Sequence, residues 1–165
     1  MTLEETLAQI KPLDKNAMDV AAKRWDSIAK PLHSLGKMEK LVIQIAGITG
    51  NPDMKIQKRA LVPMCADNGV VEEGVTQTGQ EVTAIVAENF LSGDTSACVM
   101  SRQCGTKVIP VDIGMAVDTK VSKELKVAYG TANMTKGPAM TRAQAVQALE
   151  AGIEMVRRLK EEGYG

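Results

Sequence analysis

Two short apolar runs, each carrying polar residues at its end, constrain the fold of this chain most. Residues 59–66 (RALVPMCA) precede the polar corner at residues 67–69 (DNG), and residues 107–114 (KVIPVDIG) contain Asp112 near their end. Continuous apolar runs of this length are typical of strands buried on both faces, as in parallel sheets. With helical periodicity between them and a third strand predicted over residues 125–129, they indicate an α/β fold with a Rossmann-like, mainly parallel sheet.

Helical patterns fill the first third of the chain. Asp14 can cap a helix whose apolar residues follow one face as far as Lys30-Pro31, and Ser34 can cap a second helix. The pattern changes after the cluster Gly50-Asn51-Pro52, which is typical of a loop. We therefore predict a small helical unit over residues 1–52, followed by the amino-terminal part of an α/β domain over residues 53–165.

The last helix and the point where the chain stops predict an incomplete sheet. Thr141-Arg142-Ala143-Gln144 has the pattern of a capping box, with a hydroxyl at the cap and an amide side chain three residues later. The helix that it opens ends at Gly163, where the next strand would be expected. A sheet of two or three strands has an exposed edge, so we expect either a truncated chain or a missing partner.

The composition argues against several classes of function. Twenty basic and twenty acidic side chains cancel, and aromatic residues make up only 2% of the chain, which disfavours nucleic-acid binding. One histidine and three cysteines without a C-x-x-C pair argue against a metal site, and neither glycine fingerprint for nucleotides is present. No apolar run approaches the roughly 20 residues of a membrane span, and the amino terminus has no hydrophobic signal core. We expect a cytoplasmic protein without a metal or cofactor.

Ligands of open α/β sheets bind beyond the carboxyl ends of the strands, where Asp67 and Asn68 lie in this sequence. The alternative interpretation is that both side chains only cap their own turn. Glu72 and Glu73 are adjacent and should point in different directions, which favours solvated charges over a paired acid and base. The uncharged loop at residues 76–80 suits a neutral heterocycle, and equally an ordinary surface loop.

Four stretches in order along the chain carry a resemblance to a known family. They are KPLHSLGKMEKL (30–41), MCADNGVVEEGVTQTGQEVTAIVAENFLSG (64–93), KVIPVDIGM (107–115) and GTANMTKGPAMTRAQA (130–145). The sequence resembles the nicotinate-nucleotide–dimethylbenzimidazole phosphoribosyltransferases of the cobalamin lower-ligand pathway. The resemblance implies transfer of ribose phosphate from nicotinate mononucleotide to dimethylbenzimidazole, which gives α-ribazole phosphate and nicotinate.

The resemblance also implies which residues of this chain contact the substrate. Thr78 and Val86 match positions that face the base, and Asp67 with Asn68 match the strand-end pair at the floor of the pocket. The general base of the family is a glutamate near the carboxyl end, so we expect no catalytic residue in this chain. His33 departs from the family pattern by replacing a glycine, and Pro63 by replacing an aliphatic residue.

Two readings of the function remain open from the sequence. In the first, the chain is a half-enzyme that binds the base and nicotinate mononucleotide and acts with a missing carboxyl-terminal half or as a homodimer. In the second, it is a non-catalytic binding or oligomerisation domain derived from that enzyme, because an exposed sheet edge favours self-association. An unrelated nucleotide-binding domain is the weakest reading, since both glycine fingerprints are missing.

Overall fold

The structure is a computed structural model that describes all of residues 1–165. The chain forms two compact units. One, the helical unit, is Ala8–Ile56, and the other, the α/β unit, combines Met1–Leu7 with Gln57–Gly165. The domain boundary predicted at residue 52 stays a prediction. No helix of the chain is both long enough and apolar enough to cross a lipid bilayer.

The unit Ala8–Ile56 is a pair of helices, with α1 (Leu3–Ala8) before them in the chain, α2 at Lys15–Ser27 and α3 at Lys37–Thr49. Asp14 caps α2 as predicted, because its side chain accepts a hydrogen bond from the Ala17 N–H at 3.0 Å. A β-carbon on Gly47 would lie 2.6 Å from Met18 Cγ, so a larger residue where α3 packs on α2 would displace the Met18 side chain.

The turn before α3 differs from the prediction. Ser34 does not cap this helix, which begins three residues later, after Gly36 with a positive φ of +55°. His33 also has a positive φ of +58°, the region that favours glycine, so histidine forms the turn at the cost of backbone strain. Buried Glu39 holds the turn by accepting the Leu35 N–H at 3.2 Å and pairing with Lys30 at 2.8 Å. The close contact with the Lys30 ammonium lowers the pKa of Glu39.

Both predicted strands are present, and each is split in two by a proline. Leu61 accepts a hydrogen bond from the Ile109 N–H, and Pro63 accepts one from the Val111 N–H, both at 2.9 Å, so the parallel pairing resumes in the same register. Pro63 and Pro110 lie opposite each other at the break, and Pro63 has no N–H to donate to the partner strand, which removes one ladder hydrogen bond. The parallel pairs are β1 (Arg59–Leu61) with β3 (Thr106–Val108) and β2 (Met64–Ala66) with β4 (Val111–Gly114).

The helices of the α/β unit follow the sequence patterns closely. They are α4 (Glu81–Ser92), α5 (Ser96–Gln103) and α6 (Arg142–Glu161), and a short 3₁₀ helix spans Gly69–Glu73. The capping box at the start of α6 is confirmed, because Thr141 and Gln144 each bond the other's backbone N–H. Cys65, Ala87, Met115 and Val121 form the buried core of the unit, with Phe90 packed against them.

The third strand predicted over residues 125–129 is wrong. This segment lies beside β4 and makes two hydrogen bonds with its end, from Val127 to Ile113 and from Gly130 to Gly114. The Lys126 N–H bonds back to Lys123 at 3.0 Å and closes a turn, so that regular strand pairing does not develop. The chain is an α/β protein with a small, incomplete parallel sheet, as the sequence indicated, while the Rossmann-like strand arrangement stays a prediction.

Candidate functional site

A cavity of about 480 Å³ opens at the carboxyl end of β2, between that strand and α4. Its volume lies within the range of small-molecule sites in proteins. The cavity brings together all four residues that the sequence singled out for the substrate, which are Asp67, Asn68, Thr78 and Val86. Their role in binding stays a prediction, because proximity in one cavity does not by itself identify a ligand.

Asp67 is buried (3% exposed) and is tied to a different loop from its own. The register of β2 with β4 shifts by one residue after Cys65, and the Asp67 N–H then bonds the Gly114 carbonyl at 3.0 Å. Its Oδ2 accepts the Ala116 N–H at 2.7 Å, whereas Oδ1 has no hydrogen-bond partner within the chain. The side chain therefore does not cap its own turn, and one carboxylate oxygen is available to a ligand.

The mouth of the cavity is polar and uncharged. The Thr76 hydroxyl donates to the Thr78 carbonyl, and Gln80 Nε2 donates to the Asn68 carbonyl at 3.1 Å, which joins the loop to the strand end. The hydroxyls of Thr78 and Thr83 make no hydrogen bond within the chain and remain free for a ligand. Sequence reasoning missed Thr83, although its place three residues before Val86, on the same face of the helix, could have indicated it.

The cavity walls are apolar and contain no reactive nucleophile. Val71, Val82, Val86 and Phe90 supply aliphatic and aromatic surface against which a planar ring could pack. Cys65 also lines the cavity, but burial, followed by the negative charges of Asp112 and Asp67, raises the pKa of its thiol. A protonated thiol is a poor nucleophile, so Cys65 acts as a core residue.

Glu72 and Glu73 converge on one neighbour, contrary to the prediction that they point apart. The amide of the nearly buried Asn133 donates to Glu73 at 2.6 Å and approaches Glu72 at 3.4 Å. Lys136 pairs with Glu72 at 2.9 Å, and the hydrogen bonds from Lys136 and then Asn133 lower the pKa of this carboxylate. The 3₁₀ turn directs both side chains towards the same neighbouring loop, so their hydrogen bonds hold the polar corner against residues 131–136.

The same two loops touch at Gly69. Its N–H donates to Thr131 Oγ1 at 3.1 Å, and the Thr131 N–H donates to the Asp67 carbonyl at 3.0 Å. A β-carbon on Gly69 would lie only 2.6 Å from backbone atoms of Thr131 and Ala132. Only glycine allows this approach, which positions the corner that carries Asp67 and Asn68.

A larger and mostly apolar cavity of about 650 Å³ lies beside the end of β4. Ile113, residues 127–128 and 130–132, and the first turns of α6 line it. The first turn of α6 is capped by its own side chains, and no cluster of three or more potential metal ligands occurs in the chain.

The sequence did not reveal a buried ion pair between β4 and the segment that follows it. Asp112 has no exposed surface, and the side chain of Lys126 is 6% exposed with its ammonium 3.0 Å from Asp112 Oδ2. Burial lowers the pKa of Lys126, but its contacts with Asp112 and Asp118 outweigh this effect, and the net shift is upward. A single lysine within the otherwise apolar LKVAY segment was the available sequence signal.

Parallel strands with a cavity at their carboxyl ends define an α/β protein, and the volume of this cavity lies in the range of small-molecule sites. A family model described as phosphoribosyltransferase matches residues 10–165, and the chain belongs to this family.

Several relatives share nearly the whole of this chain. Proteins named nicotinate-nucleotide–dimethylbenzimidazole phosphoribosyltransferase from Clostridium tetani and Ruminiclostridium cellulolyticum are 49% and 46% identical, over 98% and 99% of this chain. The crystal structure of the protein of that name from Thermus thermophilus is 35% identical and superimposes on 92% of this chain with a TM-score of 0.82. The chain spans about half the length of these proteins, 45% and 47% of the first two and 47% of the third.

Proposed function

We propose that this chain supplies the base-binding part of a phosphoribosyltransferase that joins nicotinate mononucleotide and 5,6-dimethylbenzimidazole to give α-ribazole phosphate. The observation that carries the proposal is the cavity at the end of β2, which gathers Asp67, Asn68, Thr78 and Val86. Membership of the family and the names of the relatives support this choice of reaction.

The lining of the cavity suits a neutral bicyclic heterocycle. Val82, Val86 and Phe90 offer apolar surface to the faces and methyl groups of the ring. The hydroxyl of Thr78 and the free oxygen of Asp67 can bond the ring nitrogens at the edge. A strongly charged ligand would find few partners here, since Asp67 is the only ionisable side chain in the lining besides the Cys65 thiol.

The chemistry assigns Asp67 an orienting role. The nicotinate leaving group is already a cationic pyridinium in the substrate, so its departure needs no proton. The incoming benzimidazole must lose its N–H proton, which requires a general base. One oxygen of Asp67 is occupied by the Ala116 N–H, so we propose that the other accepts a hydrogen bond from the single ring N–H and orients the bound base. As the opposite ring nitrogen bonds to the sugar carbon and the bond to nicotinate breaks, that proton would pass to the family's carboxyl-terminal glutamate, outside residues 1–165.

Binding of the base can be tested on this chain directly. We expect titration of the ¹⁵N-labelled chain with 5,6-dimethylbenzimidazole to shift amide signals around the cavity. Thr78→Val keeps the side-chain shape and removes the hydroxyl, which should weaken binding about fivefold, the equivalent of roughly 1 kcal/mol for one hydrogen bond. Thr49→Val, on α3 of the helical unit, is the matched control and should leave the affinity unchanged.

Turnover is tested by complementation. The chain is mixed with the carboxyl-terminal half of the Clostridium tetani relative, and α-ribazole phosphate is measured by chromatography. Product from the mixture but not from either part supports the half-enzyme. Binding of the base without product from any folded mixture favours a non-catalytic binding domain. A chain that binds no base and sediments as an oligomer favours an oligomerisation domain.

A further inference from the structure

Lys126 lies at the centre of a buried polar network beside the cavity. Its ammonium contacts Asp112 Oδ2 at 3.0 Å, Asp118 Oδ1 at 3.2 Å and the Val117 carbonyl at 3.2 Å. The ring of Tyr129 covers it at 4.0 Å from the centroid. These contacts compensate the charge of Asp112, which has no access to solvent.

Asp112 in turn holds the loop that follows β4. Its Oδ1 accepts the Met115 N–H at 2.9 Å, and the side chain of Met115 is itself fully buried. The neighbouring Ala116 N–H donates to Asp67 Oδ2 at 2.7 Å. Two consecutive backbone N–H groups therefore connect the buried ion pair to the carboxylate at the floor of the cavity.

The connection determines which oxygen of Asp67 faces the cavity. The carboxylate can rotate about its terminal bond unless one oxygen is held, and the Ala116 N–H is the only hydrogen-bond donor to it within the chain. That N–H stays in place because Asp112 holds the preceding residue and Lys126 holds Asp112. Loss of the ammonium would leave Asp112 buried without a counter-charge and free the loop to rearrange.

We propose that Lys126 is a positioning residue for the cavity at the end of β2. It acts on Asp67 through Asp112 and the Met115–Ala116 backbone. The inference rests on the proposed function, since it gives Asp67 the task of orienting the ring. It adds to that function a residue outside the cavity lining and predicts that its effect on affinity depends on Asp67.

The test uses the ¹⁵N-labelled 165-residue chain with two measurements on each variant. The first is the hydrogen-exchange rate of the Ala116 amide, and the second is the Kd for 5,6-dimethylbenzimidazole. We expect Lys126→Met to accelerate Ala116 exchange at least tenfold and to weaken binding about tenfold. Lys120→Met is the matched control, because Lys120 lies in the same loop but is 82% exposed.

A double-mutant cycle separates positioning from general loosening of the structure. If Lys126 acts through Asp67, the variant Lys126→Met/Asp67→Asn should bind no more weakly than Asp67→Asn alone. Additive losses, or wild-type affinity in Lys126→Met with Ala116 still protected, would overturn the inference.

A second variant covers the case in which Lys126→Met does not fold. Asp112→Asn/Lys126→Met removes both buried charges and keeps a side-chain oxygen for the Met115 N–H. We expect it to fold and to bind the base several-fold more weakly than the wild type, while wild-type affinity would overturn the ionic anchor. Absence of binding by the wild-type chain refutes the proposed function instead, and the Ala116 exchange rates of the folded variant and the wild type then decide the inference.

Discussion

Gly69 has no room for a β-carbon, and replacing it with alanine should cost the α/β unit much of its stability. The added atom would lie 2.6 Å from the Thr131 oxygen and the Ala132 carbonyl carbon, and 2.7 Å from the Asn133 nitrogen. All three neighbours are backbone atoms, so no side-chain rotation can relieve the clash. The two loops must move apart by about 1 Å to reach ordinary contact distance.

The expected magnitude follows from what that movement breaks. Overpacking of a close contact costs about 1–3 kcal/mol. The separation also stretches two hydrogen bonds, from the Gly69 N–H to Thr131 Oγ1 and from the Thr131 N–H to the Asp67 carbonyl, each worth about 1 kcal/mol. We expect Gly69→Ala to lower the free energy of unfolding by about 3 kcal/mol.

The assay is urea denaturation followed by amide signals of β2 and β4, which report on the α/β unit. Gly152→Ala is the matched control, because Gly152 lies within α6 and a β-carbon there meets nothing within 4 Å. That substitution should stabilise the unit by up to about 1 kcal/mol through helix propensity. If Gly69→Ala changes stability by less than about 0.5 kcal/mol, the close approach inferred between the two loops is refuted.

Two further predictions concern the helical unit and acid stability. His33→Gly should be about 1 kcal/mol more stable than His33→Ala in urea, read by Trp25 fluorescence, since both lack the imidazole and only alanine strains the positive φ; equal stabilities would contradict this. Hydrogen bonds from Arg157 and then Arg158 lower the pKa of Glu154 to about 2, below its ordinary 4.5. The stability that this group contributes is therefore present above about pH 4.5 and lost as the pH falls towards 2. Glu154→Gln should make the urea denaturation midpoint depend less on pH over that interval. An unchanged slope would show that these bonds are not kept in solution.

Local features of the chain could be predicted from the sequence because they depend on near neighbours. The cap at Asp14 and the capping box at Thr141 follow from side chains that reach the backbone three residues away. The two prolines are visible in the sequence, but their position opposite each other in the paired strands is not. It required the register in which Pro63 lies opposite Pro110.

The candidate site was only partly accessible in this way. Its four residues could be selected by resemblance, whereas the convergence of Glu72 and Glu73 on Asn133 could not, since these residues are about 60 positions apart. The same holds for the Lys126 network. A lysine in an apolar segment is unexplained until the fold brings a buried carboxylate against it.

The sequence by itself determined the helices, the apolar runs that become parallel strands and the class of fold, because periodicity and capping act over a few residues. Only the tertiary structure decided which carboxylate oxygen of Asp67 is free, which loop needs a glycine at position 69 and which charge compensates Asp112. Each of these depends on strand register and on loops distant in sequence that meet at one edge of the sheet. The physical reason is that contact across a fold is set by long-range pairing, which no local pattern encodes.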